Sequence, residues 1–333
     1  MSDTDTAMPI AQYATLGPEL ILDAVESLGL RCSARILALN SYENRVYQVG
    51  LEDSAPVVVK FYRPGRWSDE QILEEHRFTL ELADLENPVV APLVLADGRS
   101  LHHFGGFRFA VYPRQGGHTP ELSDPEHLHR IGRALGRIHA LGAVHPFRAR
   151  PDISLDSYVH EPARFILEHD FIPGALLPAY QSLLADLLPL LREFMTGIEY
   201  PIIRLHGDCY PSNILWADDG PHLVDFDDCR NGPAVQDVWM FLSGHRDERQ
   251  GQLCELLDGY GEFHDFNPAE LGLIESLRTM RLIHYAGWLA RRWDDPAFPR
   301  SFPWFNTPRY WEEHILTLRE QYAALQEEPL RYL

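Results

Sequence analysis

Residues 204–216 read RLHGDCYPSNILW and hold His206, Asp208 and Asn213 within thirteen positions. Aspartate is depleted from strands, and Pro211 denies a regular helix one of its amides. Yet apolar residues flank the stretch, Pro201, Ile202 and Ile203 before it and Ile214, Leu215 and Trp216 after it. An acid, a histidine and an amide are therefore predicted in a tight turn between two buried segments.

The chain downstream supplies a partner for this turn. Asp225 follows Asn213 by twelve residues, within Leu223-Val224-Asp225-Phe226-Asp227-Asp228. The link ILWADDGPHLV reads as strand, Asp-Asp-Gly turn, strand. A hairpin returns the chain to its start, so Asp225 is predicted beside Asn213, and two carboxylates and one amide converge at the mouth of a strand pair. Oxygen donors of this kind suit Mg²⁺, which takes one or two carboxylates plus substrate phosphates. Phosphoryl transfer requires such a metal and an aspartate to receive the hydroxyl proton. In protein kinases the spacing is H-R-D-x-x-x-x-N, followed by a metal-binding D-F-G. His206, Asp208 and Asn213 keep that spacing, and Asp225-Phe226-Asp227 takes the D-F-G place. Two more parts are required upstream, a strand lysine for the α/β-phosphates and a helix glutamate that holds it. Lys60, in Val58-Val59-Lys60, supplies the first, and Glu75 or its neighbour Glu74 the second. Five roles thus occur in the required order: Lys60, Glu75, Asp208 as base, and Asn213 and Asp225 as metal ligands. His206 is read as shaping the loop rather than carrying a proton.

Outward from this motif, 18–30 reads as an amphipathic helix with Pro18 at its start. Residues 34–62 read as two strands, ARILALN leading into SYENRVYQV and, after a short turn, 57–62. Residues 68–83 read as a helix with Ser68 as N-cap and Gln71 at the capping-box position. Further strands are expected at 89–95, 100–104 and 107–112. The backbone of 109–112 falls where an adenine edge would be bound. A linker is expected at 113–117, and then helices at 124–141, 161–169, 176–195, 233–245, 247–263, 268–292 and 308–327. Short strands over 202–230 flank the opening turn. The expected class is α+β: a small lobe, 1–112, with an antiparallel sheet and one main helix, and a larger, mainly helical lobe, 113–333, that carries catalysis and the acceptor.

The 333 residues suffice for two lobes. Forty-nine acidic against 29 basic residues give a net charge of −20, which disfavours nonspecific binding to nucleic acid or anionic membranes. No apolar run reaches transmembrane length, and the acidic start, Met1 to Thr6, lacks the basic and apolar regions of a signal peptide. Four cysteines without a CxxC pair fit reduced thiols and a cytoplasmic location. Of these, Cys209 and Cys229 adjoin the motif carboxylates, which oppose the low thiol pKa that a reactive cysteine needs.

The string HGDxxxxNxL with a following D-F-D resembles the protein-kinase-like fold of the aminoglycoside phosphotransferase and choline kinase superfamily. More closely, the chain resembles the bacterial stress response kinase A (YihE/RdoA-type) family. That likeness is carried by LNSYENRVYQV (39–49), VVKFYRPGRWSDEQILEEHRF (58–78), HGDCYPSNILW (206–216), VDFDDCRNGPAVQDVWM (224–240) and DPAFPRSFPWFNTPRYWEEHI (295–315). It implies a bilobal fold and an ATP- and Mg²⁺-dependent kinase of protein Ser/Thr residues, in the cytoplasm and linked to stress survival; a monomer is expected. It also implies that Ser41, Lys60, Glu75, Asn213 and Asp225 serve the nucleotide, that Asp208 is the base, and that Asp237 is a buried brace of the catalytic loop.

Departures from the protein-kinase pattern are informative. A G-x-G-x-x-G loop is missing, and residues 41–47, beginning with Ser41, fill the first hairpin, where the Ser41 hydroxyl and N–H are expected to meet a phosphate. Gly207 stands in place of the arginine of H-R-D, and only twelve residues separate Asp225 from Asp237, too few for a long activation loop. Arg63 and Arg66 read as solvated. Residues 281–311 hold His284, Tyr285, Trp288, Arg291, Arg292, Trp293, Trp304 and Tyr310, either an acceptor groove or a core helix with a packed tail. Fold does not fix the acceptor. A small-molecule kinase for an amino alcohol, sugar or antibiotic stays open, since an acidic groove would suit a cationic acceptor. A nucleotide-binding scaffold would have no need of Asp208.

Overall fold

Alternating β-branched and aromatic residues build the N-terminal sheet. In a computed structural model, which describes Tyr13 and residues 15–332, helix α1 (Pro18–Glu26) precedes strands β1 (Cys32–Ala38), β2 (Arg45–Leu51) and β3 (Val57–Phe61). The acidic start from Met1 to Thr6 lies outside the described residues. Residues 34–62 thus form three strands where two were expected, because the polar stretches at 40–44 and 52–55 each reverse the chain. Helix α2 (Asp69–Asp84) follows, opened by Ser68, whose hydroxyl accepts from the Gln71 N–H while the Gln71 side chain accepts from the Ser68 N–H. This capping box satisfies two amides that the first helical turn leaves bare. Strands β4 (His102–Phe104) and β5 (Phe107–Pro113) complete an antiparallel sheet of order β1-β2-β3-β5-β4. One face packs Val49, Val59, Phe61, Phe109 and Val111 against Ile21 and Val25 of α1.

The strand expected at 89–95 reduces to a bridge between Val89 and Leu223. Pro88 and Pro92 deprive this segment of ladder donors. The Leu223 N–H instead donates to the Pro88 carbonyl and the Val90 N–H to the Leu223 carbonyl, and His118 and Trp216 exchange backbone bonds. These bonds attach a hairpin, β7 (Ile214–Ala217) and β8 (Gly220–Leu223), to the N-terminal sheet unit. The chain accordingly divides into Met1–Pro120 with Ser212–Asp227, and Glu121–Pro211 with Asp228–Leu333. The boundary falls eight residues past Tyr112, and the hairpin belongs to the first unit rather than the second.

The second unit is mainly helical: α3 (Pro125–Gly142), α4 (Glu161–Glu168), α5 (Leu177–Gly197), α6 (Val235–Trp239), α7 (Arg246–Tyr260), α8 (Ile274–Arg291), α9 (Ala297–Ser301) and α10 (Pro308–Ala324). Strands β6 (Ile203–Leu205) and β9 (Arg230–Gly232) pair antiparallel at its centre. Helices α3 and α7 approach so closely that a Cβ on Gly132 or Gly136 would lie 2.0 or 2.4 Å from the Leu256 or Tyr260 carbonyl. Two helices differ from expectation. The 233–245 segment keeps only α6, and 268–292 begins as a 3-10 turn, Pro268–Leu273, before α8. Pro268 and Gly272 are the poor α-formers that tighten this start. The class is the expected one, α+β, with a small antiparallel sheet and a larger helical unit.

Candidate active site

Lys60 points from the centre of β3 into a cavity of about 300 Å³ in the first unit. Its Nζ lies 3.3 Å from Glu75 Oε1 on α2, 3.1 Å from Asp225 Oδ1 and 3.2 Å from Asp227 Oδ1. Glu75, rather than Glu74, is thus the α2 carboxylate seen at Lys60. Both side chains of that pair are buried. Burial works to lower the Lys60 pKa, but the carboxylates of Asp227, Glu75 and Asp225 outweigh it and hold the ammonium well above the ordinary lysine value. Lys60 is therefore a permanent cation.

The hairpin does what its sequence predicts. Ile214 pairs with Leu223, and the Val224 N–H donates to the Asn213 carbonyl at 2.9 Å, so Asn213 and Asp225 lie at the open end of the strand pair. Both line the Lys60 cavity, together with Ser41, Glu75 and Tyr112. Asp225 takes φ 61°, a left-handed conformation that aspartate tolerates better than most residues. Its side chain stays half exposed. Phe226 is buried against Phe78 of α2, ring centroids 6.1 Å apart, and anchors the turn. An amide oxygen and a half-exposed carboxylate facing a permanent cation make a donor set that fits a hard divalent ion shared with phosphates. No group of three His, Cys, Asp or Glu side chains among the described residues forms a closed metal cage.

The loop at 41–44, where a glycine-rich loop was missing, is held from behind. Arg63, expected in solvent, is buried. Its Nε donates to the Glu43 carbonyl at 3.0 Å, its Nη2 to the Tyr42 carbonyl at 3.3 Å, and its N–H to Asn44 Oδ1 at 3.0 Å. The same guanidinium pairs with the Glu43 carboxylate at 2.9 Å. Arg66, also expected in solvent, pairs with Asp227. The Ser41 hydroxyl donates to the Asn44 carbonyl at 3.2 Å and so helps to close the turn. Of the segment 109–112, only Tyr112 lines the cavity. The Val111 carbonyl accepts from the Leu93 N–H at 2.7 Å, and it is Tyr112, Pro113 and Gln115 that line the cavity.

Asp208 belongs to the second unit, on the loop after β6. The loop hangs from Asp237 of α6, which is fully buried. Its carboxylate accepts from the His206 N–H at 2.8 Å and the Gly207 N–H at 2.9 Å, and lies 3.0 Å from His139 Nε2. Burial alone would raise the Asp237 pKa, but His139, His206 and the Gly207 amide reverse this and hold it below the usual aspartate range. Gly207 has φ 83°, and a Cβ there would lie 2.2 Å from the Asp228 carbonyl. An arginine has no room at this position, which accounts for the altered H-R-D. Cys209 is buried, and burial together with Asp237 and Asp208 raises its thiol pKa well above the ordinary value. A raised thiol pKa fits an inert cysteine.

Sequence reading missed two residues, His139 and Arg281. Arg281 of α8 donates from Nη2 to Asp208 Oδ1 at 2.6 Å. The signal for it was helical spacing, since 281, 285, 288 and 292 share one face of α8. The cluster at 281–311 divides between the two readings. Trp293, Trp304 and Tyr310 pack around Phe305, and Trp288 meets Phe298 and Phe302 of the same tail at 5.1 and 5.8 Å, while Tyr285 stacks on Trp288, centroids 5.6 Å apart, in line with Arg281 and Arg292.

Comparison with known proteins gives the family and the fold. The model of the phosphotransferase enzyme family matches residues 35–321. Stress response kinase A of Escherichia coli strain K12 is 46% identical over 319 residues, 96% of this chain and 96% of that one. Serine/threonine protein kinase RdoA of Salmonella typhimurium is 45% identical, with the same 96% of each chain covered. Among solved structures, the amicoumacin kinase hAmiN in complex with AMP-PNP, Ca²⁺ and Ami superposes with a TM-score of 0.74 at 16% identity, covering 97% of this chain and 98% of that one. Five motif positions in order, a lysine held by three carboxylates and a match over nearly the whole chain lead to one assignment: the chain belongs to the phosphotransferase enzyme family, in the stress response kinase A group.

Proposed function

We propose that the protein is an ATP- and Mg²⁺-dependent kinase that transfers the γ-phosphoryl group to Ser or Thr hydroxyls of proteins in a bacterial stress response. The observation that carries this reading is buried Lys60, joined to Glu75 and Asp225 in a cavity that also presents Asn213. A cation fixed by carboxylates serves to bind and orient phosphates, because it costs no reorganisation when the nucleotide arrives. Asn213 and Asp225 would hold Mg²⁺, which supplies neutralisation of charge on the β- and γ-oxygens. The clamped loop at 41–44 covers the phosphates with backbone N–H groups. The free edge at Tyr112, Pro113 and Gln115 receives adenine.

Asp208 accepts the acceptor's hydroxyl proton as the new O–P bond forms and the bond from γ-phosphorus to the bridging oxygen breaks, releasing ADP. Asp237 keeps the loop that carries Asp208 in place. The twelve residues from Asp225 to Asp237 are taken up by a 3-10 turn (Phe226–Asp228), β9 and the start of α6, too short a stretch for a long activation loop. The stress-response and protein-acceptor parts of the reading draw on the names of the two bacterial relatives. Likeness to the amicoumacin kinase shows the fold, and that fold serves many acceptors. The cytoplasmic part draws on the four cysteines, which are all free thiols, as a reducing compartment requires.

The test is incubation of the purified full chain with labelled ATP and Mg²⁺, offering Ser/Thr proteins and peptides in one arm and amino alcohols, sugars and aminoglycosides in the other. Label on Ser or Thr is the expected result. Label confined to small molecules overturns the protein-acceptor reading.

A further inference from the structure

Helix α8 carries a surface that the phosphoryl-transfer machinery does not use. Arg281, Tyr285, Trp288 and Arg292 follow one another at helical spacing, and the line begins at the base, through the 2.6 Å bond from Arg281 to Asp208. The Arg281 side chain remains 30% exposed. Tyr285 is exposed, and its ring lies on Trp288 with an interplanar angle of 15°. The Arg292 guanidinium lies over the Trp288 ring, 5.2 Å from its centroid.

The surroundings add one further guanidinium, that of Arg230. His284, one position off the line, stacks on Tyr158 at 4.5 Å, and Arg230 lies over the Tyr158 ring at 5.1 Å. Burial lowers the His284 pKa to about 3, and Arg230, Arg281 and Arg292 lower it further against the opposing Asp228. Of the neighbouring carboxylates, Asp228 pairs with Arg230 at 2.9 Å, Glu161 of α4 with Arg291 at 3.8 Å and Asp208 with Arg281, while Asp294, two positions past Arg292, is exposed. In a chain with 49 acidic and 29 basic residues, a cationic and aromatic face beside the base is a local exception. It is the reverse of what a polycationic antibiotic or an amino alcohol would need.

Resting on the reading of the protein as a protein kinase, we propose that this face binds the acceptor as an acidic peptide segment, with carboxylates near the acceptor hydroxyl meeting Arg281 and Arg292 and an apolar side chain between them on Tyr285 and Trp288. Eleven residues of helix span about 16 Å, the length of roughly five residues of extended peptide. Arginine forks match carboxylates bidentately, and aromatic anchors add contact area at small entropic cost.

A panel of Ser peptides of equal length, differing only in flanking Asp, Asn or Lys, tests this with the full chain, ATP and Mg²⁺. The Asp-flanked peptide is expected to exceed the Asn-flanked one in kcat/KM by at least tenfold, with the Lys-flanked one lowest. Arg292→Glu should remove or invert that order, and Arg292→Lys should keep it, each judged on variants whose melting temperature matches wild type. Equal rates for all three peptides, or preference for Lys, overturns the acidic-acceptor inference and leaves the protein-kinase reading standing. Transfer to small molecules with none to any peptide overturns both.

Discussion

The roles proposed for Asp208 and Glu75 turn on particular contacts. Asp208 is a short acid held by Arg281 on a loop suspended from Asp237. Replacing it with Asn removes the proton acceptor and keeps the shape. Asp208→Asn is therefore expected to bind nucleotide as wild type does and to lose a factor on the order of 10²–10⁴ in kcat. Calorimetric nucleotide titration beside single-turnover transfer checks this, and an unchanged kcat would remove the assignment. Glu74 and Glu75 adjoin each other, but it is Glu75 whose carboxylate lies 3.3 Å from Lys60. Glu75→Gln should raise the apparent KM for ATP by about tenfold, equivalent to roughly 1.4 kcal/mol of phosphate orientation. Glu74→Gln should change it little. The two residues could not be told apart from spacing, because a helix turns 100° per residue and its exact start decides which one faces β3.

The first hairpin and the segment after β3 act together at the scale of elements. Without glycines, the loop at 41–44 would be expected to keep a fixed course only if something holds it. Arg63 does so, with one guanidinium on two backbone carbonyls and the Glu43 carboxylate. Arg63→Ala should release the loop and leave Asp208 and its brace untouched. The expected signature is a rise in KM for ATP larger than any fall in kcat. Equal falls in kcat and kcat/KM would show instead that Arg63 acts only in the transition state. This clamp was invisible in sequence, where two arginines after a strand look like solvated ends. It needs the carbonyls of a loop some twenty positions away, and only the β2–β3 pairing, with Arg45 opposite Phe61, brings those within reach.

The helical unit as a whole should be acid-sensitive through histidines buried without charge. His314 of α10 is buried among the rings of Tyr180, Tyr310 and Trp311, and burial lowers its pKa to about 4. A histidine so lowered favours the folded state fully above its unfolded pKa of about 6.5, and that contribution is lost as pH falls toward the folded value. The loss is on the order of 3 kcal/mol for His314 between pH 6.5 and 4, and His284 adds to it in the same direction. Unfolding free energy measured by denaturant titration should therefore fall across that window, and His314→Phe should flatten the fall. A slope unaffected by this substitution would assign the acid sensitivity elsewhere.

Much of the nucleotide side was legible because its signals are local. Lys60, Asp208, Asn213 and Asp225 sit at fixed short spacings within a strand, a turn and a hairpin, and a hairpin's geometry follows from its own turn residues. The capping box at Ser68 was legible for the same reason, whereas the brace at Asp237, thirty positions from Gly207, was reached through the family resemblance. By itself, then, the sequence determined the fold class, the order of the elements and the convergence of Lys60, Asn213 and Asp225 on one cavity. The tertiary structure alone decided three matters. It attached the hairpin to the first unit through Pro88, Val90 and His118, selected Glu75, and placed Arg281 on Asp208 across 73 positions of chain. Those contacts join segments far apart in sequence. Their partners are chosen by packing, which depends on all the surrounding side chains at once, and no short window of residues carries that information.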